Sequence, residues 1–154
     1  ALPILELCVS VSTLESMAYN FLSTDCIVCA VMDARCSQVY NALFEIKNGV
    51  VTRLCDDRAL SLDDLKNELL SVDGRIIIAG DGTDITCKYI GNEIKNAESA
   101  PVNLKYQRAS STALVAFEMI NNGKTVSAQE LMPVYLRLPQ AQRELNKKLG
   151  GRTK

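Results

Sequence analysis

The run Cys26-Ile27-Val28-Cys29-Ala30-Val31-Met32 lies between Asp25 and Asp33 with no polar residue inside it. Successive side chains of a strand point to opposite faces, so a strand that is apolar throughout needs cover on both sides. The run therefore reads as a central strand of a sheet with helices on each face. Cys26 and Cys29 form a CxxC, but positions three apart in a strand face opposite ways and cannot share one metal.

Downstream, Val39 to Ile46 alternates, with Tyr40, Ala42, Phe44 and Ile46 on one face and Asn41 and Glu45 on the other. Asn48-Gly49 supplies the two positive-φ residues of a type I′ hairpin, and Val50 to Leu54 returns. Three antiparallel strands result. Upstream, Cys8 to Val11 reads as a short strand. Ser12 and Glu15 have the spacing of a capping box for a helix whose apolar face is Leu14, Met17, Ala18, Phe21 and Leu22.

A second helix opens at Ser61, with Asp63 and Asp64 in its first turn, where the dipole favours acids, and Leu62, Leu65 and Leu69 as its buried stripe. Arg75 to Ala79 is another buried strand, closed by Gly80-Asp81-Gly82. The stretch 84–100 reads as a short helix around Thr86 to Ile90 followed by a loop. Ser110 to Asn121 is a helix that apolar residues nearly encircle (Leu114, Val115, Phe117, Met119, Ile120), which predicts burial all round. Gly123 sits where its C-terminal cap belongs. Val134 to Arg137 reads as a short extended segment. Pro139 leads into a terminal helix with Ala141, Leu145 and Leu149 in phase.

Hairpins mixed with interspersed helices define an α/β class: a mixed sheet flanked by helices. The expectation is a single domain over 1–154, with 139–154 forming the terminal helix and basic tail.

Composition narrows the chemistry. The chain has 17 basic and 18 acidic residues, a net charge of -1, six cysteines and no histidine. Near-neutrality gives no global field toward nucleic acid or an anionic membrane. Without histidine, Ser-His-Asp and Cys-His sites cannot be built within this chain. The cysteines fall mostly in or beside apolar runs, where free Cys behaves as a small hydrophobe. No catalytic or metal site is expected. No segment has the length of an apolar membrane span, and Ala1 to Val11 lacks the basic leader of a signal peptide.

Three places could carry function. Asp33 and Arg35 follow the central strand, where open α/β sheets place functional loops; they could bind a ligand or partner, or simply pair with each other. Gly80, Asp81 and Gly82 follow the Ile76 strand; their backbone could approach a ligand, or they could form a structural turn. Asp81 would repel a phosphate, and the motif lacks the lysine of a P-loop. Arg143, Lys147, Lys148, Arg152 and Lys154 could meet tRNA phosphates or merely complement a helix dipole.

Four strings together resemble one family. Val9-Ser10-Val11-Ser12-Thr13-Leu14-Glu15 looks like the start of the second half of TsaB-type (YeaZ-like) proteins. Asp33-Ala34-Arg35 with Gln38-Val39-Tyr40 is similar to that family's strand connection, although Cys36 and Ser37 replace the usual methionine and glycine. Gly80-Asp81-Gly82 and Pro133-Val134-Tyr135-Leu136-Arg137 resemble the next landmarks. The resemblance implies the second lobe of an actin-like ATPase (ASKHA) fold. It further implies a non-catalytic scaffold subunit of the cytoplasmic machinery that makes threonylcarbamoyladenosine next to the tRNA anticodon. Implied partners are a catalytic TsaD-type paralogue and a TsaE-type ATPase, with tRNA contacted indirectly and a homodimer possible for the full-length protein. No cofactor is implied beyond ATP or ADP in the full-length complex. The family's first-half motifs are missing, so the chain is expected to be a fragment lacking the first lobe, and unable alone to complete the complex. Two other readings stand beside this one: a small-molecule α/β enzyme using Asp33, Arg35 and Asp81, and an autonomous tRNA-binding module built on the basic tail.

Overall fold

The computed structural model describes residues 7–137. The apolar run becomes β2 (Cys26–Asp33), and it is central: β3 (Gln38–Lys47) pairs antiparallel on one side and β6 (Ile76–Ala79) parallel on the other. Sheet order is β4-β3-β2-β6-β7, with β4 at Val50–Arg53 and β7 at Ala97–Ser99. Asn48 and Gly49 have φ of 51° and 77°, as the type I′ turn between β3 and β4 requires.

Ten-residue β3 is longer than either partner on its outer edge, and two strands share it. Strand β4 pairs with Phe44 to Lys47, and β5 (Arg58–Ser61), unforeseen in the sequence, pairs with Gln38 to Asn41. Between them the chain loops out, held by Leu54 N–H on the Leu43 carbonyl at 2.8 Å and Leu43 N–H on Cys55 Sγ at 3.2 Å. Strand β7 was also missed: the segment read as a loop after the third helix pairs parallel with β6.

Both faces of the sheet are covered, as the unbroken apolar run demanded. On one, α1 (Thr13–Ala18) and the 3-10 turn Tyr19–Phe21 set Leu14, Met17, Ala18 and Phe21 against Val28, Ala30, Ala42, Phe44 and Ile77. On the other, α2 (Leu62–Leu69) and α3 (Thr83–Ile90) set Leu62, Leu65, Leu69 and Ile90 against Cys29, Val31, Val39, Leu43 and Ile78. Each such side chain stabilises the fold by about 1.5–3 kcal/mol before the entropy cost. Cys26 and Cys29 fall in the two opposite cores.

The second face also takes in a polar residue. Asn41 is fully buried, because α2 covers that side of β3. Its Nδ2 donates to the Ala30 carbonyl at 3.0 Å, and its Oδ1 accepts from Arg58 at 3.0 Å. Arg58 in turn reaches Glu68 at 2.5 Å.

Capping residues behave as their spacing indicates, with one difference. Ser61 Oγ accepts from Asp64 N–H and Ser12 Oγ from Glu15 N–H, both at 3.1 Å. The reciprocal half of the Ser12 box is replaced, because the Glu15 carboxylate takes Arg53 at 2.7 Å. Only Leu7–Cys8 forms the first strand, β1, and it pairs antiparallel with β8 (Val126–Ser127) in a separate ribbon. The segment 134–137 joins no strand.

Helix α4 (Ala109–Asn121) overturns the prediction of burial all round. It rides on α1 and the Tyr19–Phe21 turn instead of the sheet, and buries only Ser111 and Val115. Leu114, Phe117 and Ile120 are 49%, 63% and 51% exposed. Gly123, at φ 68°, closes it: Gly123 N–H meets the Ile120 carbonyl and Lys124 N–H the Met119 carbonyl, the bond pattern of a Schellman motif. The expected terminal helix and basic tail (139–154) lie outside the described residues.

Candidate functional site

Asp33, Arg35 and Asp81 do come together, at the C-terminal end of β2, but mainly to fasten the backbone. Asp33 Oδ1 accepts the Arg35 N–H at 2.7 Å, and Oδ2 meets the Arg35 guanidinium at 3.2 Å. Asp81 Oδ1 accepts the Asp33 N–H at 3.1 Å. Arg35, Cys36 and Ser37 then turn the chain with φ of 63°, 55° and 56°, a left-handed conformation that β-carbons disfavour. The Ala34 N–H on the Gln38 carbonyl at 3.0 Å closes the loop. Two carboxylates tied to backbone amides and an outward-pointing guanidinium do not surround a vacant ligand position.

The two glycines serve packing. A β-carbon on Gly80 would lie 1.9 Å from the Val31 carbonyl oxygen, and one on Gly82 would crowd the Met32 and Asp33 backbone at 3.1–3.3 Å. Glycine occurs at these positions because the loop after β6 presses onto the end of β2. What approaches closely is the protein's own strand.

Beside this turn opens a cleft of about 430 Å³. Two of the strings that carried the resemblance line it: Ser10 to Leu14 on one wall and Pro133 to Arg137 on the other, with Met32, Tyr40 and Asp57 between them. The Arg137 guanidinium donates to the Ala34 carbonyl, so the Pro-Val-Tyr-Leu-Arg string is pinned to the Asp33 turn. Sequence reading quoted these strings but selected none of the cleft residues as a site. The available signal was the pair of strings themselves, because charge and spacing did not distinguish them.

Part of the cleft's polar lining is paired within the protein. Ser12 Oγ donates to Asp57 Oδ2 at 2.5 Å while accepting from Glu15 N–H, so its proton and its lone pair are both engaged where it caps the helix. Arg53 binds Asp57 at 2.6 Å and Glu15 at 2.7 Å and lies 4.7 Å over the Phe44 ring. Burial works against the Arg53 charge, but its hydrogen bonds to Asp57 and Glu15 outweigh that and hold its pKa above the ordinary value. Burial pushes the thiols of Cys26, Cys29 and Cys87 up, the reverse of what a nucleophile needs. Among the described residues no His, Cys, Asp and Glu cluster could hold a metal, and no helix is long and apolar enough to cross a membrane.

Fold and site together define a class: a mixed α/β domain whose turns are internally fastened beside a cleft. No family model matches the chain. It is 27% identical over 134 residues to the tRNA threonylcarbamoyladenosine biosynthesis protein TsaB of Bacillus subtilis (strain 168), covering 86% of this chain and 57% of that protein. Two solved structures share the fold at a TM-score of 0.61: YeaZ from Pseudomonas aeruginosa, 19% identical, and an uncharacterized protein with similarity to peptidase YEAZ from the same organism, 20% identical. Each match covers 82% of this chain and 57% of the other. The chain thus shows distant homology to TsaB/YeaZ proteins over most of its length, and it spans about half the length of the relatives it matches.

Proposed function

We propose that this chain serves tRNA threonylcarbamoyladenosine formation as a non-catalytic scaffold lobe, supporting a TsaD-type catalytic partner alongside a TsaE-type ATPase in the cytoplasm. Its relation to TsaB of Bacillus subtilis carries this reading. The site supports it. Asp33, Arg35 and Asp81 are engaged with the turns they shape, and Ser12 is engaged as a helix cap. A scaffold needs such loops rigid, whereas an enzyme of the rival kind needs them turned toward a shared substrate position. The autonomous tRNA-binding reading rests on residues beyond Arg137, outside the described structure.

The test is a Bacillus subtilis strain depleted of its own TsaB and supplied with this chain, alone or together with the part of that TsaB the chain does not match. Threonylcarbamoyladenosine in total tRNA is measured by mass spectrometry. Restoration by the pair supports the proposal, and Asp33→Asn with Asp81→Asn should preserve most of it. No restoration by any combination, or turnover of a substrate by the isolated chain, would overturn it.

A further inference from the structure

Helix α4 is bare on one side. Ser111 and Val115 are buried toward α1 and the Tyr19–Phe21 turn, and Leu114, Phe117 and Ile120 lie on successive turns away from them, each about half-exposed or more. The helix has one charged residue, Glu118, and its carboxylate accepts the Tyr19 hydroxyl at 2.6 Å. No charge therefore interrupts the outward row. Single apolar residues on a surface are ordinary, whereas three on adjoining turns without a charge form a patch that marks a contact.

The chain carries a complement to this row in its own sequence. Beyond Arg137, Ala141, Leu145 and Leu149 recur at helical spacing after Pro139, and Arg143, Glu144 and Lys147 fall on the other side. A helix over 139–149 would be about 16 Å long, against about 20 Å for α4. One narrow apolar stripe fits one narrow uncharged row, and its charged side stays in water.

Where the described chain ends favours this occupant. Arg137 donates to the Ala34 carbonyl and lines the same cleft as Ser12, Thr13 and Leu14, at the start of α1. Met32, between the cleft walls, packs against the core on the α1 face of the sheet. The segment 138–154 therefore starts on the face that carries α4, beside the helix on which α4 rides. The exposed apolar residues Leu70, at the end of α2, and Ile85 and Tyr89, in α3, lie across the sheet.

Interface size separates the tail from a second copy. The α4 row is only about 9 Å long, and its three side chains bury far less than the roughly 800 Å² per partner of a stable complex between separate chains. A tethered segment meets its seat at an effective concentration of roughly millimolar, so a small contact is sufficient.

We infer that the outward row of α4 is the seat of the chain's own C-terminal segment, with Ala141, Leu145 and Leu149 packed on Leu114, Phe117 and Ile120. Seated there, the segment closes the apolar side of α4 and turns Arg143 and Lys147 to solvent. The inference does not depend on the scaffold reading.

The experiment uses the full chain with the photo-crosslinking residue benzoylphenylalanine in place of Phe117, irradiated in dilute solution and mapped by mass spectrometry. Expected is a cross-link from position 117 to 139–149 within one chain, at least ten-fold weaker with Leu145→Asp and absent when the probe stands at Leu70. In the chain without the probe, Leu145→Asp should speed amide exchange over 141–149 at least ten-fold. Unchanged exchange in β2 shows that the variant folds. Lys147→Asp, on the charged side, should leave both readouts as they are. Four results each overturn the inference: no cross-link from 117 to the tail, cross-links from 117 to a second copy instead, either readout indifferent to Leu145→Asp, or exchange over 141–149 as fast in the full chain as in a synthetic 138–154 peptide. The first and last together would leave the row to a separate protein.

Discussion

Gly80 lies so close to Val31 that a β-carbon on it would stand 1.9 Å from the Val31 carbonyl oxygen. The contact is with backbone of the central strand, which cannot move aside, and Gly80 also has a φ of 118°. Alanine there meets both a steric and a conformational penalty. Gly80→Ala should cost roughly 3–5 kcal/mol, and Gly82→Ala, with an ordinary φ and contacts of 3.1–3.3 Å, only about 1–2 kcal/mol. Urea unfolding of the two variants checks the order. Equal losses would show that the loop yields as a unit.

Ser37 has a φ of 56° at the end of a left-handed stretch that starts at Arg35. An L-residue there stores about 1–2 kcal/mol, partly offset by the greater unfolded-state freedom of glycine. Ser37→Gly should therefore stabilise the protein by about 0.5–1 kcal/mol, seen as a higher urea midpoint at constant slope. A loss of stability would mean that the serine side chain contributes something its geometry does not reveal.

Asn41 bonds the Ala30 carbonyl with its amide nitrogen and Arg58 with its amide oxygen, at full burial. Asn41→Ala leaves both partners short and should cost about 2–3 kcal/mol. If the network is the cause, a second change, Arg58→Met, adds less than its own single cost, which a double-mutant cycle measures.

The Cys29 thiol is buried between sheet and helix, and burial raises its pKa above the ordinary 9.0. Tyr19 is raised above 10.0 by burial and by its hydrogen bond to Glu118. In each case the unfolded chain loses its proton first as pH rises, so stability falls from about pH 9 upward, with the Tyr19 contribution joining above about pH 10. Neither group gives a slope below pH 8. Urea midpoints from pH 7 to 10.5 should bend down near 9, and Cys29→Ala should lessen that bend, with Cys26 and Cys87, whose thiols burial also raises, supplying the remainder. A midpoint unchanged up to pH 10.5 would contradict the assignment.

How much of this was legible follows from which signals are local. The period of Cys26 to Met32, the Asn48-Gly49 turn, the Ser12 and Ser61 caps and the Leu62, Leu65, Leu69 stripe each depend on neighbours a few residues away, and all were read correctly but for the Glu15 half of the Ser12 box, which a distant arginine takes. Strands β5 and β7 were missed because they are short edge pieces whose only reason to be extended is a long partner supplied from elsewhere in the chain. The burial of Asn41 was not legible for a similar reason: alternation along β3 assigns its face but cannot show that α2 will cover it. Asp33 and Arg35 after one strand and Asp81 after another were read as separate turns, and the structure places them side by side. Only coordinates revealed that the two carboxylates are turned onto backbone amides while the Arg35 guanidinium points outward.

The amino-acid order alone determined that this protein is a mixed α/β domain built on one central strand without a histidine-based catalyst, because periodicity, turn chemistry and composition act over short range. Tertiary structure decided that the glycines pack against Val31 and Met32, that the two wall strings share a cleft, and that α4 keeps a bare apolar side. Those outcomes depend on which distant segments fill the space around a residue, and an apolar helix has the same sequence whether its outer face meets the core, a partner or water.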